Sequence, residues 1–192
     1  ANAAGQILHT VAGKPAALVD KLQGSSQLAP QAVHCAAMGQ ALAQLHLAGA
    51  DFALQQPNLR GLDWIAQTVP VVLPHMAPAQ AQLLQEELAA QQALAAGSAY
   101  ASLPRGAVHA DLFRDNAMFV GEQLSGIFDF YFAGTDTFVF DLAVCLNDWC
   151  IDLPSGQDDA ARVQAFVQAY ETVRPLTVAE LELLPAMRRL GA

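Results

Sequence analysis

A chain of 192 residues is long enough for one domain with a sizeable buried core. At 54% apolar and 14% charged it is not a disordered composition, and no apolar run reaches the length of a membrane span. The net charge of −9 argues against nucleic acid or an anionic membrane surface as the main partner. It does not exclude a nucleotide, because a metal ion and local backbone amides set the sign at a phosphate site.

Residues 7–11 and 15–22 predict two short strands with Gly13-Lys14 as the turn between them. The second starts apolar and ends polar at Gly24, so it reads either as a hinge between two lobes or as an edge hairpin. Residues 30–48 predict a helix, with Pro30 in its first turn and Gly49 as its stop. His34 and His46 on it read as capping or core residues rather than catalytic ones. A polar loop follows over 51–60, then a short helix over 63–68 that Pro70 and Pro74 should cut off. Residues 78–96 predict another helix, with Leu83, Leu84, Leu88 and Leu94 as its buried stripe and its Glu and Gln residues solvated.

The densest chemistry lies between Val108 and Asp129. Val108 ends a short strand; residues 117–120 and 124–128 predict two more, joined by a tight turn at Gly121-Glu122-Gln123. Asp111 and Asn116 then sit in the loop before a hairpin, and Asp129 ends its second strand. Because a hairpin brings its outer ends together, these residues converge. His109-x-Asp111 with Asn116 five residues on, followed by a strand-borne Asp, is the kinase layout. In it one Asp accepts the proton of the attacking hydroxyl, and the Asn and second Asp hold magnesium against the ATP phosphates. Oxygen ligands of this kind suit magnesium, which takes one or two carboxylates plus phosphate oxygens.

Residues 133–137 read as loop, and 138–151 as a helix apolar almost all round. Asp141 near its start is then a buried carboxylate that needs hydrogen bonds, and the backbone of the Asp111 loop is its natural partner. Asp148 and Asp152 lie one turn apart near the far end. Residues 157–173 and 178–190 predict the last two helices, the second opened by a Thr177-x-x-Glu180 capping box. Cys35, Cys145 and Cys150 lack C-x-x-C spacing and read as reduced, buried thiols of a cytoplasmic protein.

With H-A-D-L-F-R-D-N-A-M-F, G-I-F-D-F-Y-F-A and D-L-A-V-C-L-N-D-W-C in place, the chain resembles the homoserine kinases that share the aminoglycoside phosphotransferase and protein-kinase-like fold. The stretches L-H-T-V-A-G-K-P-A-A-L-V, A-L-A-Q-L-H-L-A-G and P-N-L-R-G-L-D-W add to it. The resemblance implies an α+β, mainly α, protein-kinase-like fold. Residues 1–24 would be the end of the small-lobe sheet and the hinge, and residues 25–192 the C-terminal helical catalytic lobe with its β-hairpin. Asp111 would be the base, His109 and Asp141 the supports of its loop, and Asn116 and Asp129 the magnesium ligands. Val19, Asp20 and Leu22 would form the hinge, with the Asp20 carbonyl and the Leu22 amide facing adenine. The reaction would be ATP plus L-homoserine giving O-phospho-L-homoserine, a step of threonine synthesis. Tyr131, Asp148 and Asp152 are the candidates for the acceptor's ammonium. The alternatives are a kinase of another small hydroxylated substrate, such as an aminoglycoside or a choline-like alcohol, and a kinase-like binding module without turnover. In one respect the chain departs from the family: it shows no Gly-rich strand-turn-strand and no small-lobe Lys on a third strand, which reads as a fragment that begins inside the small lobe.

Overall fold

The computed structural model describes residues 5–192, and most of its elements follow the periodicity of the sequence. An antiparallel hairpin opens it, β1 (Leu8–Val11) with β2 (Lys14–Ala17), turning at Ala12 and Gly13, both at positive φ. The second strand is shorter than its sequence predicts. It ends at Ala17, opposite Leu8, and residues 18–23 run on without regular structure. The chain then docks through Ser25, whose amide and carbonyl bond the backbone of Phe119 at 3.0 and 2.9 Å. Gly24 permits that approach: its φ is +92°, and a Cβ there would lie 1.9 Å from the Phe119 carbonyl oxygen.

Helix α1 (Ala32–Ala48) is closed at its start by a capping box in which His34 Nδ1 accepts from the Gln31 amide at 3.0 Å. Helix α2 (Leu62–Val72) runs past the predicted break and carries Pro70 inside, followed by a 3-10 turn at Leu73–His75. Pro70 falls near the end of α2, so its missing amide costs one hydrogen bond, to a carbonyl on half-buried Ala66. Helix α3 (Pro78–Ala95) turns Leu84, Leu88 and Leu94 of the expected leucine stripe inward but not Leu83. Leu83 is 69% exposed, whereas Gln91 is 2% exposed. Leu84, Glu87, Leu88 and Gln91 recur at i, i+3, i+4 and i+7, and that is the inner face. Gln91 is tolerated there because its amide nitrogen donates to Glu87 and to the Ala186 carbonyl.

A short α4 (Ser98–Ala101) leads to β3 (Arg105–Val108). The hairpin follows as expected, β4 (Ala117–Val120) with β5 (Gln123–Ile127), turning at Gly121 with φ +60°. Residues 134–137, expected as loop, form β6 (Gly134–Thr137), which satisfies the otherwise open edge of β3 in antiparallel register, Val108 opposite Gly134. Thr137 then caps helix α5 (Phe138–Trp149). Beyond it β7 (Ile151–Asp152) and β8 (Gln157–Asp158) make a small hairpin, and α6 (Ala160–Val173) starts later than predicted because Asp159 is its N-cap. Helix α7 (Val178–Leu190) opens with the expected Thr177–Glu180 capping box.

The core lies where α1, α5 and α6 meet. Cys35, Met38 and Leu42 of α1, Leu142, Leu146 and Trp149 of α5, and Phe166 and Tyr170 of α6 are all sealed from solvent. Each such side chain contributes about 1.5–3 kcal/mol of burial. Gly39 lets α1 and α6 approach closely, since a Cβ there would lie 2.1 Å from the Phe166 carbonyl oxygen. The three cysteines are free and buried. Among the described residues no helix is long and apolar enough to cross a membrane.

Candidate active site

Helix α5 holds the loop between β3 and β4 from beneath. Asp141 accepts from the amides of His109 and Ala110 at 2.8 and 2.7 Å, the backbone partnership its burial demanded. Two helical turns on, Asp148 accepts from the Arg114 amide at 2.7 Å, and Trp149 Nε1 donates to the Leu112 carbonyl at 2.9 Å. The spacing of 141 and 148 puts both carboxylates on the face turned to the loop. Ala110 is held at φ +63°, a conformation that costs a non-glycine residue energy and that the Asp141 clamp supports.

Asp141 is wholly buried, and its own partners continue inward. His46 Nε2 lies 3.0 Å from it, and His46 Nδ1 lies 2.7 Å from the Tyr170 hydroxyl. Arg174 donates to that hydroxyl at 2.9 Å and to Glu180 at 2.8 Å. Both His46 ring nitrogens are thus engaged, one by Asp141 and the other by Tyr170. Burial alone would raise the Asp141 pKa; the His46 contact and the two amides outweigh it and hold the carboxyl below its usual range.

On the outer side the loop presents its other polar groups. Asp111 is half-buried, and Asn116 is buried with its Nδ2 donating to the Asp111 carbonyl at 2.7 Å. The Phe128 amide donates to the Asn116 carbonyl at 3.1 Å, continuing the β4–β5 ladder outward and setting Asp129 beside that end of the loop. His109 Nε2 donates to the Phe128 carbonyl at 3.0 Å and so pins the residue before Asp129, which is exposed and turned at φ +61°. Burial raises the Asp111 pKa; Asp129 and Asp115 raise it further, while His109 and Arg60 oppose them.

The donor set fits a hard divalent cation. No described side chain donates to Asn116 Oδ1 or to the Asp129 carboxylate, and both are oxygen ligands. Among the described residues no group of three or more His, Cys, Asp or Glu could hold a metal alone, so phosphate oxygens and water would have to complete the shell.

Asp148, Asp152 and Tyr131, the three residues expected at the acceptor, stand in separate surroundings. Asp148 is engaged by Arg114, through the amide and through Nε at 3.1 Å, while Arg114 also reaches the Leu28 and Asp148 carbonyls. Asp152 holds the β7–β8 turn, accepting from the Ser155 amide at 3.1 Å and from its hydroxyl. Tyr131 is 74% exposed and packs edge-on against Phe132. None of the three lines the cavity of about 470 Å³ on which Asp111 opens. That cavity is walled by α2, α3 and the end of α7, with Trp64, Ile65, Val69 and Leu88 among its apolar residues and Arg60, Glu87 and Arg189 among its charged ones. The hinge candidates run along the exposed 18–23 segment: Val19 is 80% exposed, while Leu22 packs on Gly126. Asp20 and Leu22 make no backbone hydrogen bond among the described residues.

Residues 3–176 match the model of the phosphotransferase enzyme family. The chain belongs to that family. It is 62% identical over its whole length to a homoserine kinase of Polaromonas naphthalenivorans (strain CJ2), of which it covers 61%. It is 53% identical over 188 residues to a homoserine kinase of Janthinobacterium sp. (strain Marseille), of which it covers 58%. The chain thus spans about three-fifths of the length of these curated relatives. Among solved structures it resembles the amicoumacin kinase hAmiN in complex with AMP-PNP, Ca2+ and Ami, with a TM-score of 0.72 and 17% identity over 98% of this chain and 59% of that one. A choline/ethanolamine kinase family protein from Mesorhizobium loti gives 0.67 and 21% over 96% and 61%. The expected protein-kinase-like fold, with its helical lobe and catalytic-loop hairpin, is the fold observed.

Of the residues around this candidate site, sequence reasoning missed the inner relay and the cavity cation. His46 read as a capping or core residue, and Tyr170 stands on the apolar face of α6; the hint was that two side chains with polar tips lay on apolar helical faces beside a helix with a buried Asp. Arg60 stands in a polar loop that gave no periodic signal.

Proposed function

We propose that the protein is an ATP-dependent homoserine kinase and that this chain carries its catalytic lobe. The observation that supports it most is the His109–Asn116 loop, clamped by buried Asp141 and opening Asp111 onto a cavity, in a chain so similar to homoserine kinases. Asp111 accepts the proton of the acceptor hydroxyl as that oxygen bonds to the γ-phosphorus of ATP. The bond from the γ-phosphorus to the β–γ bridging oxygen breaks, and ADP leaves. The raised pKa of Asp111 brings its basicity closer to that of working pH than an exposed carboxylate's. Asn116 and Asp129 would hold Mg2+, which would supply positive charge to neutralise the phosphates. His109 and Asp141 act through the backbone, fixing where Asp111 and Asp129 stand. The Asp20 carbonyl and the Leu22 amide meet adenine, with Val19 alongside.

The test is direct. The protein carrying this chain in its full length, with ATP and magnesium, should convert L-homoserine to O-phospho-L-homoserine, read by phosphorus NMR of the product. ADP release with no such product, alongside phosphorylation of choline or an aminoglycoside, would overturn the assignment of substrate.

A further inference from the structure

The cavity beside Asp111 holds a cation for which the roles above have no use. Its other described arginine, Arg189, is neutralised: Nε lies 3.0 Å from both Glu87 carboxylate oxygens. Arg60 has no carboxylate at ion-pair distance among the described residues. Its guanidinium is instead held by stacking, 4.4 Å from the Trp64 ring centre and 4.8 Å from that of Phe132. The loop that carries it is anchored as well. The Arg60 amide donates to Asn58 Oδ1 at 2.9 Å, and Asn58 Nδ2 donates to Asp136 on β6 at 2.8 Å.

A guanidinium stacked by its faces keeps its N–H edges for an anion, and their planar fork matches a carboxylate. Stacking also restrains the long side chain before the ligand arrives, so little ordering cost remains at binding. Arg60 stands close enough to Asp111 to influence its titration. We infer that Arg60 anchors the α-carboxylate of an amino-acid acceptor whose hydroxyl is presented to Asp111. The inference rests on the homoserine reading and adds the group that selects for it. Choline and aminoglycosides offer Arg60 no anion and bring positive charge toward it.

The experiment compares L-homoserine with 3-aminopropan-1-ol, the same molecule without its carboxylate, in the full-length enzyme and in its Arg60→Gln and Arg60→Lys variants. Each compound is read as a substrate or, where turnover is too slow, as a competitive inhibitor. Losing a charge-assisted hydrogen bond is worth about 10- to 100-fold. Arg60→Gln should lower kcat/KM for L-homoserine by about that factor more than for the decarboxylated analogue, mostly through KM. Arg60→Lys keeps the charge without the fork and should fall between; it also serves if the Gln variant does not fold. If both acceptors weaken equally, or if the variants discriminate as the parent does, Arg60 is not the anchor while the kinase reading stands. If the parent enzyme does not phosphorylate L-homoserine at all, the kinase reading fails and takes this inference with it.

Discussion

The two sides of the catalytic loop are built on opposite principles. Beneath it, Asp141, His46, Tyr170, Arg174 and Glu180 form a buried relay in which each polar side chain meets the next at hydrogen-bond distance. Above it, Asp111 and Asp129 are left without a protein cation within ion-pair distance among the described residues. A paired buried charge holds a backbone in place; an unpaired, solvated one is available for a proton or a metal ion. The molecule places its satisfied carboxylate under the loop and its unsatisfied ones on top, and the same residue type thereby serves two ends.

The largest expected effect breaks the upper side alone. Asp111→Asn keeps the shape and removes the proposed base, so turnover should fall by about 10²- to 10⁴-fold. Nucleotide affinity, measured by calorimetry, should stay close to the parent's. Near-normal turnover would remove Asp111 from the base role.

Breaking the lower side should appear in stability. Asp141→Ala leaves two buried amides and His46 without their acceptor, which should cost about 3–5 kcal/mol in urea unfolding. Because the folded Asp141 pKa lies below its unfolded value, its contribution is fully present above about pH 4. It is lost as pH falls through the folded value, so wild type and variant should converge in acid. A small loss for Asp141→Ala would mean that the loop holds its shape without the clamp.

Tyr170→Phe is the finer test of the relay. It removes one hydroxyl that is bonded on both sides and should cost about 1–3 kcal/mol. Turnover should fall far less than for Asp111→Asn, since the relay positions the loop and does not touch the substrate. A turnover loss as large as that of Asp111→Asn would give the relay a chemical part.

The smallest effect concerns the charges around the base. As the proposed base Asp111 must be deprotonated to act, so activity should fall as pH drops through its raised pKa. Asp115, exposed and negative, is one of the groups that raise it. Asp115→Asn should therefore move the acidic limb of the kcat profile to lower pH; a shift to higher pH would contradict the electrostatic account.

Much of this site was legible from sequence because its parts are local. His109, Asp111 and Asn116 stand within one loop, and the alternation of residues 117–128 shows that Asp129 returns beside them. The capping boxes, the buried run of α5 and the need of Asp141 for the loop backbone follow from spacing and from the cost of burying a charge. What sequence alone could not determine was set by contacts between distant segments. Residues 134–137 became a strand because β3 offered an open edge. Which face of α3 turned inward depended on α7, whose Ala186 carbonyl takes the Gln91 amide. Asp148 was drawn to Arg114 and Asp152 to Ser155, so neither reached the cavity. Arg60 came to it on a loop tied to β6 through Asn58. Propensity, capping and periodicity act over a few residues along the chain, whereas pairing of charges and edges acts across space, and only the folded chain decides which partners are near.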